Sequence, residues 1–596
     1  MIFISILTLI VAKALPLLNK QISSIHFTRI TSIIFIYTGA ITLNCLYIQS
    51  IGSGIGIYSG LFHITQISQL IEIFLFLIGG LILIGWPQIL PSTGNIKKVN
   101  DIPLLNSKVE NYSTDYSIII LFSILGSSLL ISSFDLISLY LSIELQSFGL
   151  YILSTLYRDS ESSTSAGLKY FLLGGLSSCL ILLGIGLIYS YTGITNFESL
   201  YILNSISDID QQYVLQGLSL GLIIIFIGFL FKIAAAPLHN WSPDVYDGTP
   251  TIVTTYLTII PKISILILLL ELQSQIGIIG GLKTKILSNS GYLINIDNLS
   301  SLISIEGLLI LSNTVNSLSD VLNGLTVGLP VLKNLLLISS ILSLIIGSLL
   351  GLAQIKIKRL LAYSTISHVG FLLLALAINT EQSIDSFLFY LIVYTITNLN
   401  IFLIILALSY INYTNTKSID SMVNTFDFKE SKLENIRDIR YISEFKGLFF
   451  SNPLLSLSFG ICLFSMAGIP PLIGFFSKQF VLFSALQNGY YFISLIAIIV
   501  SVISASYYLK IIKVLITFEE NIISNKTSIL NSPLLNTNEF NINNNLNSFI
   551  FNNKYTLSNT HSFLISSLTL IILLFFIKPS IILNSTQLLS LSLFYI

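Results

Sequence analysis

The sequence predicts an all-α polytopic membrane protein with about 14 transmembrane helices, the seventh and twelfth of them discontinuous. Three observations carry this. The 596 residues are 53% hydrophobic and 9% charged, with a mean hydropathy of +0.86, against the roughly 25% charge of a soluble domain. Apolar runs of about 20 residues, the length that crosses a bilayer, recur along the chain. Two of those runs are interrupted by proline, five helices apart.

The first run, MIFISILTLIVAKALPLLNK, has no basic region before it and no small-residue cleavage site. It therefore reads as a retained spanning helix rather than a signal peptide. Spans follow near 30–48, 68–90, 116–132, 135–156, 166–191, 213–236, 250–274, 332–354, 358–379, 384–411, 447–486, 490–517 and 561–583. This divides the chain into a three-helix region with its loop (1–115), a five-helix block (116–275) and an inserted loop (276–331). A second five-helix block (332–517), an Asn-rich loop (518–560) and a C-terminal helix (561–596) complete it. The polar stretch 91–115 also looks inserted. The run NEFNINNNLNSFIFNNKY is low complexity, too polar to form a packed core. The fourth helix of the first block breaks at FKIAAAPLH, and the fourth of the second at FSMAGIPPLIGFFSKQF. An offset of five gives the blocks opposite topology, as in transporters built from two inverted five-helix repeats with discontinuous helices.

Lys+Arg and Asp+Glu both number 28, so net charge offers no argument for nucleic acid, and none is expected as a partner. The distribution is informative. Loops after odd-numbered helices hold Lys20 and Arg29, Lys97 and Lys98, Arg158, then Lys356, Lys358 and Arg359, and the run from Lys417 to Lys446. Most loops after even-numbered helices hold essentially none, which makes one face basic and puts both termini on the other. The exception, with Lys283 and Lys285, is a loop long enough for the rule to weaken. Cys45, Cys179 and Cys462 are scattered through apolar segments without metal-site or cluster spacing and read as inert thiols. Abundant Ile, Leu, Ser and Asn with only 3 Met suit an AT-rich organellar genome.

Ionisable residues inside spans cost roughly 2.5–3.5 kcal/mol on insertion scales and usually face a partner or cavity. The candidates are Glu144 in LYLSIELQSFGLYIL, Lys169 in SAGLKYFLLGG, Lys232 before the first break, Lys262 midway along helix eight, His368 in YSTISHVGFLLLAL, and Lys478 after the second break. They comprise one acid, four lysines and a histidine. A lysine withdrawn from water holds its proton less tightly, and a nearby carboxylate restores the hold, so a Glu–Lys pair that moves apart can load and release a proton. Carrying that proton against about 100 mV takes roughly 2.3 kcal/mol, within reach of modest rearrangement. Proline breaks add backbone groups that protein or water must satisfy, which predicts hydrated space beside Lys232 and Lys478. Structural readings compete: Lys169 opens its helix and could snorkel, and His368 could be a hydrogen-bonded core histidine. Asp135 reads as a helix start. Trp241, beside His239, reads as an interface anchor, and Asp244 and Asp247 in PDVYDGTP as caps of helix eight rather than metal ligands.

The run FKIAAAPLHNWSPDVYDGTPTIVTTYLTIIPK closely resembles the signature of the subunit 2 family of NADH dehydrogenase, mitochondrial counterparts of bacterial subunit N of respiratory complex I. LKYFLLGGLSS, QIKIKRLLAYSTISHVGFLLLAL, FYLIVYTITNLNIF and MAGIPPLIGFFSKQFVLFSAL match as well, and together the matches cover about 117–515 apart from the insertion. The resemblance implies an antiporter-like fold in the membrane arm of a proton-pumping NADH:ubiquinone oxidoreductase. It implies that Glu144 pairs with Lys232, that Lys262 and His368 continue a central polar axis, that Lys478 leads to an exit, and that Lys169 is a further translocation residue. It makes the basic face the matrix side of the mitochondrial inner membrane and turns the termini to the intermembrane space. Partners would be other membrane-arm subunits, neighbouring antiporter-like ones included, and lipids. Related subunits 4 and 5 and the multisubunit sodium/proton antiporters generally carry histidine where Lys262 stands. The sequence has no dinucleotide fingerprint and no cysteine cluster, so no cofactor is expected on this chain. NADH, FMN, iron–sulfur clusters and ubiquinone are expected elsewhere in the complex. The competing readings are a freestanding cation/proton antiporter and a structural scaffold whose buried charges only pair helices.

Overall fold

The computed structural model describes residues 1–15, 24–48, 54–85, 103–158, 160–206, 212–275, 329–423, 438–517 and 558–594. Much of the inserted loop, most of the Asn-rich loop, and Lys20, Lys97, Lys98, Lys283 and Lys285 lie outside them, as does part of the Lys417–Lys446 run.

Nineteen α-helices lie among the described residues. The N-terminal region contains α1 (Ile2–Ala14), α2 (Ser24–Ile48) and α3 (Gln66–Ile84), with a two-stranded antiparallel hairpin, β1 (Ile55–Ile57) and β2 (Phe62–Ile64), between the last two. The first block comprises α4 (Pro103–Ile131), α5 (Leu136–Ser154), α6 (Glu161–Thr192), α7 (Phe197–Ile206), α8 (Gln212–Ile233), α9 (Trp241–Gly248) and α10 (Thr251–Gln275). The second comprises α11 (Leu329–Leu352), α12 (Ile357–Ile378), α13 (Glu381–Val423), α14 (Leu448–Ser451), α15 (Pro453–Ala467), α16 (Ile473–Gln487) and α17 (Tyr491–Ile516). At the end stand α18 (Asn559–Leu574) and α19 (Ser580–Phe594).

Each expected span overlaps a helix, and ten helices are long and apolar enough to cross a membrane. Three differences have local causes. The expected loop 91–115 gives way to helix from Pro103, a residue well suited to the first helical turn. The single C-terminal helix is two, divided by a 3₁₀ turn at Phe575–Ile577 just before Pro579. The hairpin and the short α7 carry too little apolar periodicity to announce themselves.

Helix ends follow local chemistry. Asp135 caps α5, its carboxylate accepting from the Ile137 N–H at 2.8 Å while Ser138 returns a bond to the Asp135 N–H. Thr65 and Ser68 make the same reciprocal pair at α3.

The core is unevenly distributed. The apolar window of α10 is wholly buried, and α12 and α13 nearly so, whereas α6 and α17 are 39% buried. Side chains such as Leu168, Phe171, Leu172 and Leu183 of α6 point outward. In a bilayer those outer faces meet lipid tails as apolar as themselves, so they need no cover from the protein.

Both expected breaks are present. α8 ends at Ile233 and the chain passes through Ala234, in the left-handed region at φ 63°, before α9 begins. α15 ends at Ala467, followed by Gly468 at φ 86°, and α16 starts at Ile473.

Candidate functional site

Glu144 faces inward from the middle of α5, and Lys232 is in the last turn of α8. Lys232 Nζ donates to Glu144 Oε1 at 3.4 Å, the side chains being 8% and 15% exposed respectively. Ser147, one turn on from Glu144, donates to its Oε2 at 3.4 Å. A cavity of about 20 Å³ opens here, lined by Lys232, Ser147, Gln146, Tyr151, Trp241 and Pro261 among others, which is room for a single water.

The break beside Lys232 is held by Trp241. Its indole N–H donates to the Phe231 carbonyl at 2.9 Å, and its ring stacks on Tyr170 at 4.9 Å. The indole thus satisfies a carbonyl close to the broken end. Trp241 is buried, so the interface-anchor expectation is corrected: its indole turns inward and adds a second donor to the Phe231 carbonyl, which also accepts from the Ala234 N–H at 3.1 Å. His239, also buried, lies against the Pro237 carbonyl, and burial pushes its imidazole below its ordinary value.

Lys262 sits near the middle of α10, directly after Pro261, and is 3% exposed. Its Nζ has no hydrogen-bond partner among the described residues. It lies 5.8 Å from the ring centroids of both Tyr246 (α9) and Tyr394 (α13), where aromatic faces attract a cation. Gln146, two positions after Glu144, donates to Ser264, two positions after Lys262, and so joins α5 to α10 at 2.9 Å. His368 on α12 shares a 2.7 Å hydrogen bond with Tyr390, its ring 5.8 Å from that of Tyr394. It is close enough to Lys262 and Lys478 to feel both charges. Lys478, in α16, reaches back across the second break to donate to the carbonyls of Met466 at 2.8 Å and Ala467 at 3.0 Å.

Five of the six sequence candidates therefore line the interior. Lys169 does not: its side chain is 54% exposed and donates to Asp244 at 3.0 Å. Asp244 and Asp247 do not cap α10, which corrects that expectation. Asp438, 187 positions away, accepts from both the Thr251 N–H and its hydroxyl at 3.0 Å. Asp244 and Asp247 instead meet Lys169, Lys356 and Arg359.

Sequence reasoning missed the tyrosines 246, 390 and 394, which no motif distinguishes from core aromatics. It also counted one intramembrane acid where there are more. Glu72 of α3 and the buried Glu271 of α10 lie within each other's electrostatic reach, and the same insertion cost would have singled them out. Among the described residues no three His, Cys, Asp or Glu side chains gather as they would around a metal ion.

A family model described as NADH:quinone oxidoreductase/Mrp antiporter, transmembrane, matches residues 133–291 and 317–504. The NADH-ubiquinone oxidoreductase chain 2 of Rhizopus oryzae is 45% identical over 596 residues, 100% of both chains. The NADH-quinone oxidoreductase subunit N of a Wolbachia from Brugia malayi is 36% identical over 396 residues, 66% of this chain and 68% of its own. A chain in the structure of respiratory complex I from Thermus thermophilus superposes with a TM-score of 0.61 at 21% identity, covering 98% of this chain and 99% of that one.

Proposed function

The chain belongs to the NADH:quinone oxidoreductase/Mrp antiporter transmembrane family, and on that premise we propose that Glu144, Lys232, Lys262, His368 and Lys478 form the path by which it moves a proton. It is a membrane-arm subunit of complex I, a proton-translocating NADH:ubiquinone oxidoreductase whose other subunits are its partners. The redox chemistry of NADH, FMN, iron–sulfur clusters and ubiquinone belongs to those other parts of the complex. This chain's residues hold and pass protons. We place it in the mitochondrial inner membrane, mitochondrially encoded, crossing about 14 times as two inverted five-helix repeats, its basic face toward the matrix and its termini toward the intermembrane space, with lipids around it and no nucleic acid.

The observation that carries the reading is the Lys232–Glu144 contact, a buried pair at 3.4 Å beside a broken helix and a water-sized cavity. Two charges withdrawn from water attract strongly enough to hold a proton on the lysine. At 3.4 Å the contact is a loose one, and a small parting of α5 from α8 frees the proton to move. Lys262 is next: its Nζ and the Tyr246 hydroxyl are both buried and without partners among the described residues. One water between them would satisfy each. Tyr394, His368 and Tyr390 carry the polar line from there toward Lys478. Lys169, facing Asp244 at the edge of the bundle, acts on this path from outside it.

The test is Lys232→Met in the assembled complex, with proton pumping and NADH:ubiquinone turnover measured together. The expected result is a loss of about tenfold or more in coupled turnover per assembled complex, equivalent to about 1.4 kcal/mol. Unchanged stoichiometry of protons per NADH would favour the scaffold reading. Exchange of sodium for protons by the chain alone in vesicles would favour the freestanding antiporter.

A further inference from the structure

On the basic face, charged side chains from distant parts of the chain converge on α9. Asp244 Oδ2 accepts from Lys169 of α6 at 3.0 Å, and its Oδ1 from Arg359 Nη2 of α12 at 3.0 Å. One turn on, Asp247 Oδ2 meets Arg359 Nε at 3.2 Å and Lys356 at 2.7 Å. Beyond the end of α9, Lys358 donates to the Thr249 carbonyl at 2.8 Å and to Asp438 at 2.7 Å. The segment carrying Asp438 is itself tied to the start of α12 by backbone bonds, Ile357 N–H to Arg440 O at 3.0 Å and Ile442 N–H to Ile355 O at 3.1 Å. α6 and α9 belong to the first block, and α12 and the Asp438 segment to the second.

A helix of eight residues cannot hold itself together in isolation, so its position is set by what grips it. α9 is wedged between α6 and α12. Its fit against α6 is close: a Cβ on Gly248 would lie 2.6 Å from Ala166 Cβ and 2.7 Å from the Ser162 carbonyl oxygen. The first residue of α9 is Trp241, whose indole holds the Phe231 carbonyl next to Lys232. A shift of α9 therefore pulls on the turn that carries Lys232.

We propose that Asp244 is a positioning residue: by bridging Lys169 of the first block and Arg359 of the second, it clamps α9 and so sets the separation of Lys232 from Glu144. Through this clasp a movement of either block reaches the proton-holding pair without either cation touching it. Asp244 is suited to the task because each of its oxygens serves a different block, so losing either partner breaks the link between the blocks at this residue. Arg359 reinforces it by spanning Asp244 and Asp247 with different nitrogens of one rigid guanidinium. Asp247 and Lys356 supply a second link, and Asp438 with Lys358 a third that also caps α10.

This inference rests on the proton-path reading above, and the two fail differently. In the assembled complex, Asp244→Asn should lower coupled turnover about three- to tenfold, the range expected of a side chain acting at one remove, while Asp244→Glu restores most of it. Lys169→Gln and Arg359→Gln should each lower turnover, and the double variant should lose clearly less than the product of the single losses, because both act through one carboxylate. Wild-type turnover in Asp244→Asn would overturn the proposal. So would a loss that glutamate leaves unrepaired, or strictly multiplicative losses for Lys169 and Arg359, the outcome that still decides the matter if Asp244→Asn fails to assemble. Normal turnover in Glu144→Gln, by contrast, would sink the proton path itself.

Discussion

The two broken helices use the same parts in opposite ways. At the first, the lysine stands before the break, a tryptophan indole takes the Phe231 carbonyl, and Lys232 turns to a carboxylate on another helix. At the second, the lysine stands after the break, and Lys478 folds back to take the carbonyls of Met466 and Ala467 itself. Lys232 is thus balanced by a full charge, Lys478 by the partial negative charge at a helix C-terminus. What decides between them is whether another donor serves the broken end. Where one does, the lysine is free to pair elsewhere and its partner can move. Where none does, the lysine becomes part of the helix end.

The widest separation should come from removing each lysine. Lys232→Met strands the Glu144 carboxylate in the interior, and breaking a buried pair in this way costs about 3–5 kcal/mol. Lys478→Met leaves only neutral carbonyls behind, at about 1–3 kcal/mol. Thermal unfolding of the two assembled variants should therefore rank Lys232→Met as the less stable. Equal losses would mean that the two lysines are held alike.

Trp241→Phe is the next probe, since it keeps an aromatic ring against Tyr170 and removes only the indole donor. It should cost about 0.5–1.5 kcal/mol and make the first break resemble the second, Lys232 turning toward Phe231 and coupled turnover falling. A variant with full turnover would show that Glu144 keeps Lys232 without the indole, the Phe231 carbonyl still accepting from the Ala234 N–H at 3.1 Å.

The remaining probes concern the backbone. Gly468→Ala places a side chain at φ 86°, with its Cβ 3.0 Å from Lys478 Cδ, and should cost about 1–3 kcal/mol. Ala234→Gly relieves a left-handed alanine at φ 63° and should lie within about 1 kcal/mol of neutral. A large loss there would point to the methyl group rather than the backbone as what that position requires.

The breaks were legible because proline and glycine mark backbone punctuation wherever they occur, and Glu144, Lys232, Lys262 and Lys478 because charge inside a long apolar run is costly. The partners were not. Asp438 caps α10 from 187 positions away, and nothing local to either end announces a contact made only by folding. Lys169 shows the converse: it is a charge within a long apolar run, in the third turn of α6, yet which way a helix face turns is settled by neighbours the sequence does not name. Tyr246 and Tyr394 escaped because an aromatic that faces a buried lysine has the same spelling as one that fills a core.

The complete burial of α10 has a consequence for how the chain is made. Its lysine is sheltered partly by Tyr394 of α13, and roughly 130 residues separate the two in sequence. At about 5–20 residues per second, α10 has left the ribosome on the order of ten seconds before that part of its shelter exists. During that interval its other neighbours are the helices already synthesised, α3, α4, α5, α7 and α8 among them, all of which pack on it in the finished molecule. The N-terminal helices outside the matched family region thus hold a place in the order of assembly, as the surface against which a charged span can wait.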